Sequence, residues 1–195
     1  MVGMTFLSEP EPTPDVERLY DGDRSGYGFV MNLSHLWAHH PPSMDLFGQL
    51  LAGLAERGGL SLRDRGVLIT ALASTIGDSY CATAWGWKLS GAADPAMAKA
   101  VLSGTDEGLS DAERALATWA RAVSRDPNGR TQADVQALRD AGYADGQIFA
   151  ITAFVAFRMA FSTINSSLGA GPDTELGDLA PPEVTDVVTW GRPRT

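Results

Sequence analysis

The chain of 195 residues has a single cysteine, Cys81. That excludes a disulfide framework and any cysteine-only metal cluster built from one copy. Basic residues are scarce: 15 Lys+Arg stand against 24 Asp+Glu, a formal charge of -9. An excess of that sign argues against nucleic acid and against anionic membrane surfaces as partners. No alternating strand pattern of useful length occurs, since Val187-Val188-Thr189-Trp190 is too short to build a sheet. Uninterrupted apolar runs stop well short of the ~18 residues needed to span a bilayer. The most apolar stretch, Ile148 to Phe161, is broken by Arg158. Met1 to Pro14 has neither the basic region nor the apolar core of a signal peptide, so a cytoplasmic protein without membrane association is expected.

Helix signals fill the rest of the sequence. Ser61-Leu-Arg-Asp64, Ser110-Asp-Ala-Glu113 and Thr131-Gln-Ala-Asp134 have the form of capping boxes. In each, a hydroxyl accepts the N3 backbone N–H while a carboxylate reaches back to the cap. Asp94-Pro95 is a further start, with proline at the first helical position. The pattern predicts helices over 27–39, 43–57, 62–76, 79–90, 95–103, 111–124, 132–141 and 145–168. The fold class is therefore all-α. An arm over 1–25 precedes a helical domain over 26–169, and an extended proline-bearing tail over 170–195 wraps the surface or a neighbouring chain.

The chemistry concentrates in Gly77-Asp-Ser-Tyr-Cys-Ala-Thr-Ala-Trp-Gly-Trp-Lys88. Asp78 is a good N-cap candidate there, with Ser79 the competitor; if Asp78 caps, Cys81 falls in the first turn, where the helix dipole favours a thiolate. Asp78, Cys81, Trp85 and Lys88 follow one another at i, i+3, i+7 and i+10 and are expected on one helix face.

Together with Leu62-Arg-Asp-Arg-Gly-Val-Leu-Ile-Thr-Ala-Leu-Ala, Ala38-His-His-Pro-Pro, Leu109-Ser-Asp-Ala-Glu-Arg-Ala-Leu and Asp140-Ala-Gly-Tyr-Ala-Asp-Gly-Gln-Ile, this segment resembles the AhpD-like, carboxymuconolactone decarboxylase superfamily, in its peroxidase-related branch. The resemblance runs over about residues 28 to 176. It implies a helical bundle that assembles as a dimer, trimer or hexamer. It also implies a glutamate followed by Cys-x-x-Cys-x-x-x-His at the start of a helix. Those four positions fall on Gly66, Asp78, Cys81 and Trp85, so only the peroxide-attacking cysteine remains. Without a base to form the thiolate or a second thiol to resolve its sulfenic acid, dithiol peroxidase chemistry is not available within one chain. Asp78, as an anion beside Cys81, would moreover hold the thiol's proton on.

Cys81 reads equally as a small apolar residue of a helix turn or as a reactive group. Asp78 is a helix cap or a general acid or base. Trp85 is a core residue or, at the family's pocket position, suits a flat aromatic or polyene ligand. Arg158 makes a buried ion pair or a subunit-interface contact, or anchors a substrate carboxylate or enolate. His35 and His39 have the i, i+4 spacing of a metal pair but lack a third ligand and a glutamate, and His39-His40-Pro41-Pro42 reads as a helix end.

The decarboxylase side of the resemblance implies a cofactor-independent acid–base transformation of a small apolar or aromatic molecule, by decarboxylation, isomerisation, cyclisation or dehydration. Asp78, Cys81, Lys88 and Tyr80 are its candidate catalytic residues. Trp85, Arg158 and Phe154 are the candidate substrate contacts. No cofactor and no metal is expected. Two alternatives stand beside it: a single-cysteine alkyl hydroperoxidase with an external reductant, and a non-catalytic ligand-binding or assembly protein.

Overall fold

The computed structural model describes residues 5–195, all helix and loop among the described residues. In chain order the helices are α1 (Pro14–Tyr27), α2 (Asn32–Trp37), α3 (Pro41–Gly58), α4 (Leu62–Ile76), α5 (Ser79–Ala92), α6 (Pro95–Ser103), α7 (Asp111–Arg125), α8 (Gln132–Asp140), α9 (Asp145–Ser167), α10 (Thr174–Leu179) and α11 (Pro182–Thr185). Residues 1–4 of the expected arm lie outside the described residues.

Helices α3 to α9 begin and end within two residues of the sequence expectation. The local chemistry explains why. Ser61, Ser110 and Thr131 each accept the N3 backbone N–H, and Asp64, Glu113 and Asp134 return the bond to the cap. Gly77 ends α4 at φ 73°, in the left-handed region where a side chain is strained. Only then does the chain turn into α5.

The two ends of the chain depart from expectation. About half of the supposed arm is α1, started by Thr13, whose hydroxyl accepts from Val16 N, with Pro14 in the first turn. The helix expected over 27–39 does not form as one piece: α1 stops at Gly28, with φ 88°, and α2 starts separately after Met31. Pro41 opens α3 rather than merely stopping the helix before it, because the orphan N–H positions of a first turn accept proline. The tail is not simply extended. It carries α10 and α11 and sends Leu176 and Val184 fully into the core. Gly86 makes room for that docking, since a Cβ there would lie 2.8 Å from Val184 Cγ1.

α4 forms the centre, with Val67, Leu68, Ala71, Leu72 and Ala73 almost wholly buried against α5, α6, α7 and α9. Each large side chain there contributes about 1.5–3 kcal/mol of transfer free energy. α9 packs on α3, α4, α7 and α8. By length and composition alone this 23-residue helix is apolar enough to cross a membrane, contrary to the run-based expectation, with Arg158 in its middle. Its inward face carries Arg158, Phe161 and Ser162 to the start of α5.

Candidate active site

Cys81 lies in the first turn of α5, 2% exposed. Its backbone N–H donates to Asp78 Oδ1 at 3.0 Å, so Asp78 is the cap. Its sulfur meets two groups from consecutive turns of α9: Arg158 Nη2 donates to Sγ at 3.3 Å, and Ser162 Oγ lies 3.6 Å away. Burial, followed by the negative charge of Asp78, pushes the thiol up to about 12, against the opposing pull of Arg158 and Ser162. The thiolate expected from the helix dipole is therefore not the resting state: desolvation outweighs the dipole.

Cys81, Tyr80, Ala84, Trp85 and Lys88 of α5 line a cavity of about 190 Å³, completed by Asp23 and Tyr27 of α1, Met31 and Leu33, Met44 of α3, and Arg158 and Phe161 of α9. Lys88 Nζ donates to Tyr27 Oη at 3.0 Å and stands 4.9 Å from the Trp85 ring centre. The Arg158 guanidinium stands 5.5 Å from the Trp85 ring and 4.7 Å from that of Phe161. Its Nε is buried without a hydrogen-bond partner. The ion pair expected of a buried arginine is not made: no carboxylate oxygen lies within 4.0 Å of Arg158 or Lys88 among the described residues.

Two expected site residues lie elsewhere. Asp78 does not face this cavity. Its side chain folds back to the helix start and borders a separate pocket with Ser166 and Arg192, and Oδ2 is buried and unpartnered. Phe154 lines a second cavity of about 200 Å³ with Leu51, Arg65 and Ile69, on the other side of Trp85 and Arg158. Those two side chains border both cavities. His35 Nδ1 meets Glu9 at 2.9 Å, and His39 Nε2 meets the Ser8 carbonyl at 3.1 Å.

Two neighbours of the site escaped the sequence reading. Asp173, on the tail, accepts from Tyr80 Oη and from Asn32 N. Burial and the adjacent carboxylate push the Tyr80 phenol well up, and burial raises Asp173 despite its hydrogen bonds. Tyr80 is thus a neutral donor, locked in place by the tail. Nothing in the Pro172-Asp173 dipeptide marks it for this contact. Ser162 was within reach, because its i+4 spacing from Arg158 puts both on one face of α9.

The position corresponding to the family glutamate is closed. A Cβ on Gly66 would lie 3.1 Å from Leu89 Cβ and 3.3 Å from Leu89 Cα, so α4 and α5 touch where the acid would stand.

Neither a protein-family model nor a curated protein sequence matches the chain. Solved structures do. A peroxidase-related protein from Ralstonia eutropha, described as an alkylhydroperoxidase AhpD core, is 24% identical over 89% of this chain and 95% of its own, with a TM-score of 0.79. The fold is AhpD-like. A second peroxidase-related protein, from Silicibacter, shares the AhpD-like bundle at TM-score 0.79 and 20% identity, over 89% of this chain and 94% of its own. The debrominase Bmp8 superposes at TM-score 0.74 and 17% identity, over 96% of this chain and 98% of its own. A cysteine-to-alanine variant of Bmp8 in complex with 2,3,4-tribromopyrrole superposes at TM-score 0.70 and 18% identity, over 85% of this chain and 89% of its own. At these identities the likeness is one of fold, and the neighbours sharing it include an enzyme.

Proposed function

We propose that the chain is a cofactor-independent enzyme performing acid–base chemistry on a small, flat aromatic molecule, with Cys81 as the group that carries the proton. The observation that carries this reading is the place of the thiol: it borders a cavity and is touched by Arg158 Nη2 at 3.3 Å, while burial favours its protonated form. A peroxidatic cysteine must be a thiolate before it meets peroxide, whereas a proton donor must be protonated. When Sγ gives its proton to an electron-rich ring or enolate carbon, the thiolate left behind is met by the guanidinium and by the Ser162 hydroxyl. The proton then returns from the product or from water, and the cycle consumes no redox equivalent.

Asp78 takes a secondary part here. It backs the thiol from the cap, and its charge helps to keep the proton on Sγ. Tyr80 stands on the cavity wall with its one O–H donated to Asp173, so it shapes the site rather than supplying a proton. Trp85 and Phe161 offer flat faces suited to a ring. The tribromopyrrole held by the Bmp8 variant is a molecule of this type, so halogenated pyrroles and phenols are the first substrates to try.

The test is ring-proton exchange in D2O with a panel of pyrroles and phenols, followed by NMR, comparing wild type with Cys81→Ala. Bromide release from 2,3,4-tribromopyrrole with added thiol, and consumption of an alkyl hydroperoxide, are followed alongside. Wild type should accelerate exchange and the variant should not. Exchange equally fast in Cys81→Ala would remove the thiol from the chemistry. Cys81-dependent hydroperoxide reduction without ring exchange would establish the single-cysteine peroxidase instead.

A further inference from the structure

We propose that the Cys81 cavity takes its ligand as a planar aromatic monoanion, whose negative atom replaces the carboxylate that Arg158 lacks. The inference rests on this cavity being the working site, but not on which reaction occurs there.

The contrast between half-buried Arg121 and buried Arg158 carries it. Arg121 is closed by a bidentate pair to Asp106, at 2.6 and 2.7 Å. Arg158 is 7% exposed and has no such partner. In a chain with nine more acidic than basic residues, carboxylates are not in short supply. Arg158 instead spends Nη2 on a neutral thiol sulfur, a weak acceptor, and leaves Nε buried with no acceptor at all. Such an arrangement costs free energy in the empty protein and is relieved by an anion entering the cavity.

The surroundings keep that charge available. Lys88 also borders the cavity without a carboxylate, and both cations stand over the Trp85 ring rather than against an acid. Each of the acids nearest the cavity accepts a hydrogen bond from another group, and none pairs with Arg158 or Lys88. Asp23, on α1, accepts from Met31 N. Asp173, on the tail, is taken by Tyr80 and Asn32. Asp78 caps α5. The polar groups bordering the space itself are then Tyr27, Tyr80 and the Cys81 thiol, all uncharged when protonated, the two cations, and one carboxylate, Asp23, which makes no ion pair with either cation. Between them Met31, Leu33 and Phe161 offer an apolar slot of about 190 Å³, which limits the ligand to one ring with small substituents. A flat ring with one ionised atom satisfies both halves of this lining. A neutral ring leaves the guanidinium unpaired, and a polyanion would be repelled by the overall negative charge of the protein.

The probe is 4-nitrophenol, which ionises near neutrality and is coloured when ionised, with 4-nitroanisole as the isostere that never ionises. Binding of each to the full chain is measured by titration calorimetry at two pH values bracketing the phenol's own ionisation. Comparing the pair at each pH cancels titration of the protein. The phenolate should bind roughly 10- to 100-fold more tightly than the anisole, the range expected of a hydrogen bond to a charged group. The absorbance of the bound dye should show it ionising at lower pH than in water. Arg158→Met should abolish the preference while still binding the anisole. Arg65→Met, on the far side of the Trp85 wall, should leave the preference intact.

Equal affinity for phenolate and anisole, or no binding of either, overturns the inference. Because binding is read without turnover, a phenolate preference with no Cys81-dependent exchange leaves this inference standing and removes the proposed reaction. Exchange on a ligand bound without regard to charge does the reverse.

Discussion

Replacing Arg158 by methionine should make the protein more stable, although the residue stands in its working cavity. The two side chains have similar length and volume, so the core is not emptied. The variant loses two cation–π contacts, to Trp85 and Phe161, of about 0.5–1 kcal/mol each, rising to about 2 where desolvated. It also loses a hydrogen bond to sulfur, a weak acceptor. Against that, it sheds a buried guanidinium whose effective desolvation penalty is several kcal/mol, along with a buried orphan Nε that costs about 1–3 kcal/mol. The residual exposure at the cavity trims the desolvation gain. The balance favours the variant by about 1–2 kcal/mol, or roughly 2–8 °C in Tm for a domain of this size. Urea unfolding at neutral pH without ligand, confirmed by calorimetry, measures it. A Tm that falls by several degrees would mean that the charge is already compensated within the fold, and the case for an anionic ligand would lose its energetic basis.

Three further outcomes follow from the same geometry. The native Cys81 thiol keeps its proton to about pH 12, whereas the unfolded chain releases it near 9.0, so the native preference for the proton contributes stability that is complete below pH 9 and is lost as pH rises towards 12. Wild-type stability should therefore fall faster than that of Cys81→Ala over this window, by up to about 1.4 kcal/mol per pH unit, and parallel curves would contradict the burial argument. Asp78→Asn should keep the cap and most of the stability, whereas Asp78→Ala should lose about 1 kcal/mol; ring exchange that stops in Asp78→Asn would restore Asp78 to the chemistry. Leu46 and Leu50 of α3 and Phe149 and Phe157 of α9 are exposed, so self-association is expected, and a monomeric mass in sedimentation at micromolar concentration would end that expectation.

What the sequence made legible was local. Capping boxes, a glycine stop and a proline start act within a turn of themselves, so the bounds of α4 to α9 can be read from the residues alone. α1 carries the same kind of signal in Thr13-Pro14, but it follows Glu9-Pro10-Glu11-Pro12, which has the look of a loose arm. The stripe from Asp78 to Lys88 failed at one end for a geometric reason. A cap's side chain must turn back to the first N–H groups, so it leaves the helix face, and the cavity stripe begins at Cys81. The tail contact was out of reach altogether: Asp173 meets Asn32 across 141 residues and Tyr80 across 93, and no periodicity connects them. Likewise, the missing partner of Arg158 is a property of everything around it and is written in no single segment.

The resemblance to the AhpD-like superfamily would put an acid at position 66 and a histidine at position 85, flanking the cysteine. Here α4 and α5 meet at Gly66 and Leu89, and Trp85 lines the cavity. The groups that touch Sγ now come from α9, as Arg158 and Ser162 one turn apart. On this account the old acid cannot simply be put back. Gly66→Glu must push a side chain into a contact where even a Cβ would sit 3.1 Å from Leu89 Cβ, and it buries a carboxylate as well. Overpacking alone costs about 1–3 kcal/mol, against about 1 kcal/mol gained by removing a helix-interior glycine, and the buried acid adds to the loss. Urea unfolding should show a net loss of at least about 2 kcal/mol, part of it regained when Leu89→Ala is added, although Leu89→Ala alone is itself destabilising. Hydroperoxide reduction should not appear in either variant. A Gly66→Glu protein as stable as wild type would show that the helix contact yields easily, and the absence of the acid would then need a cause other than packing.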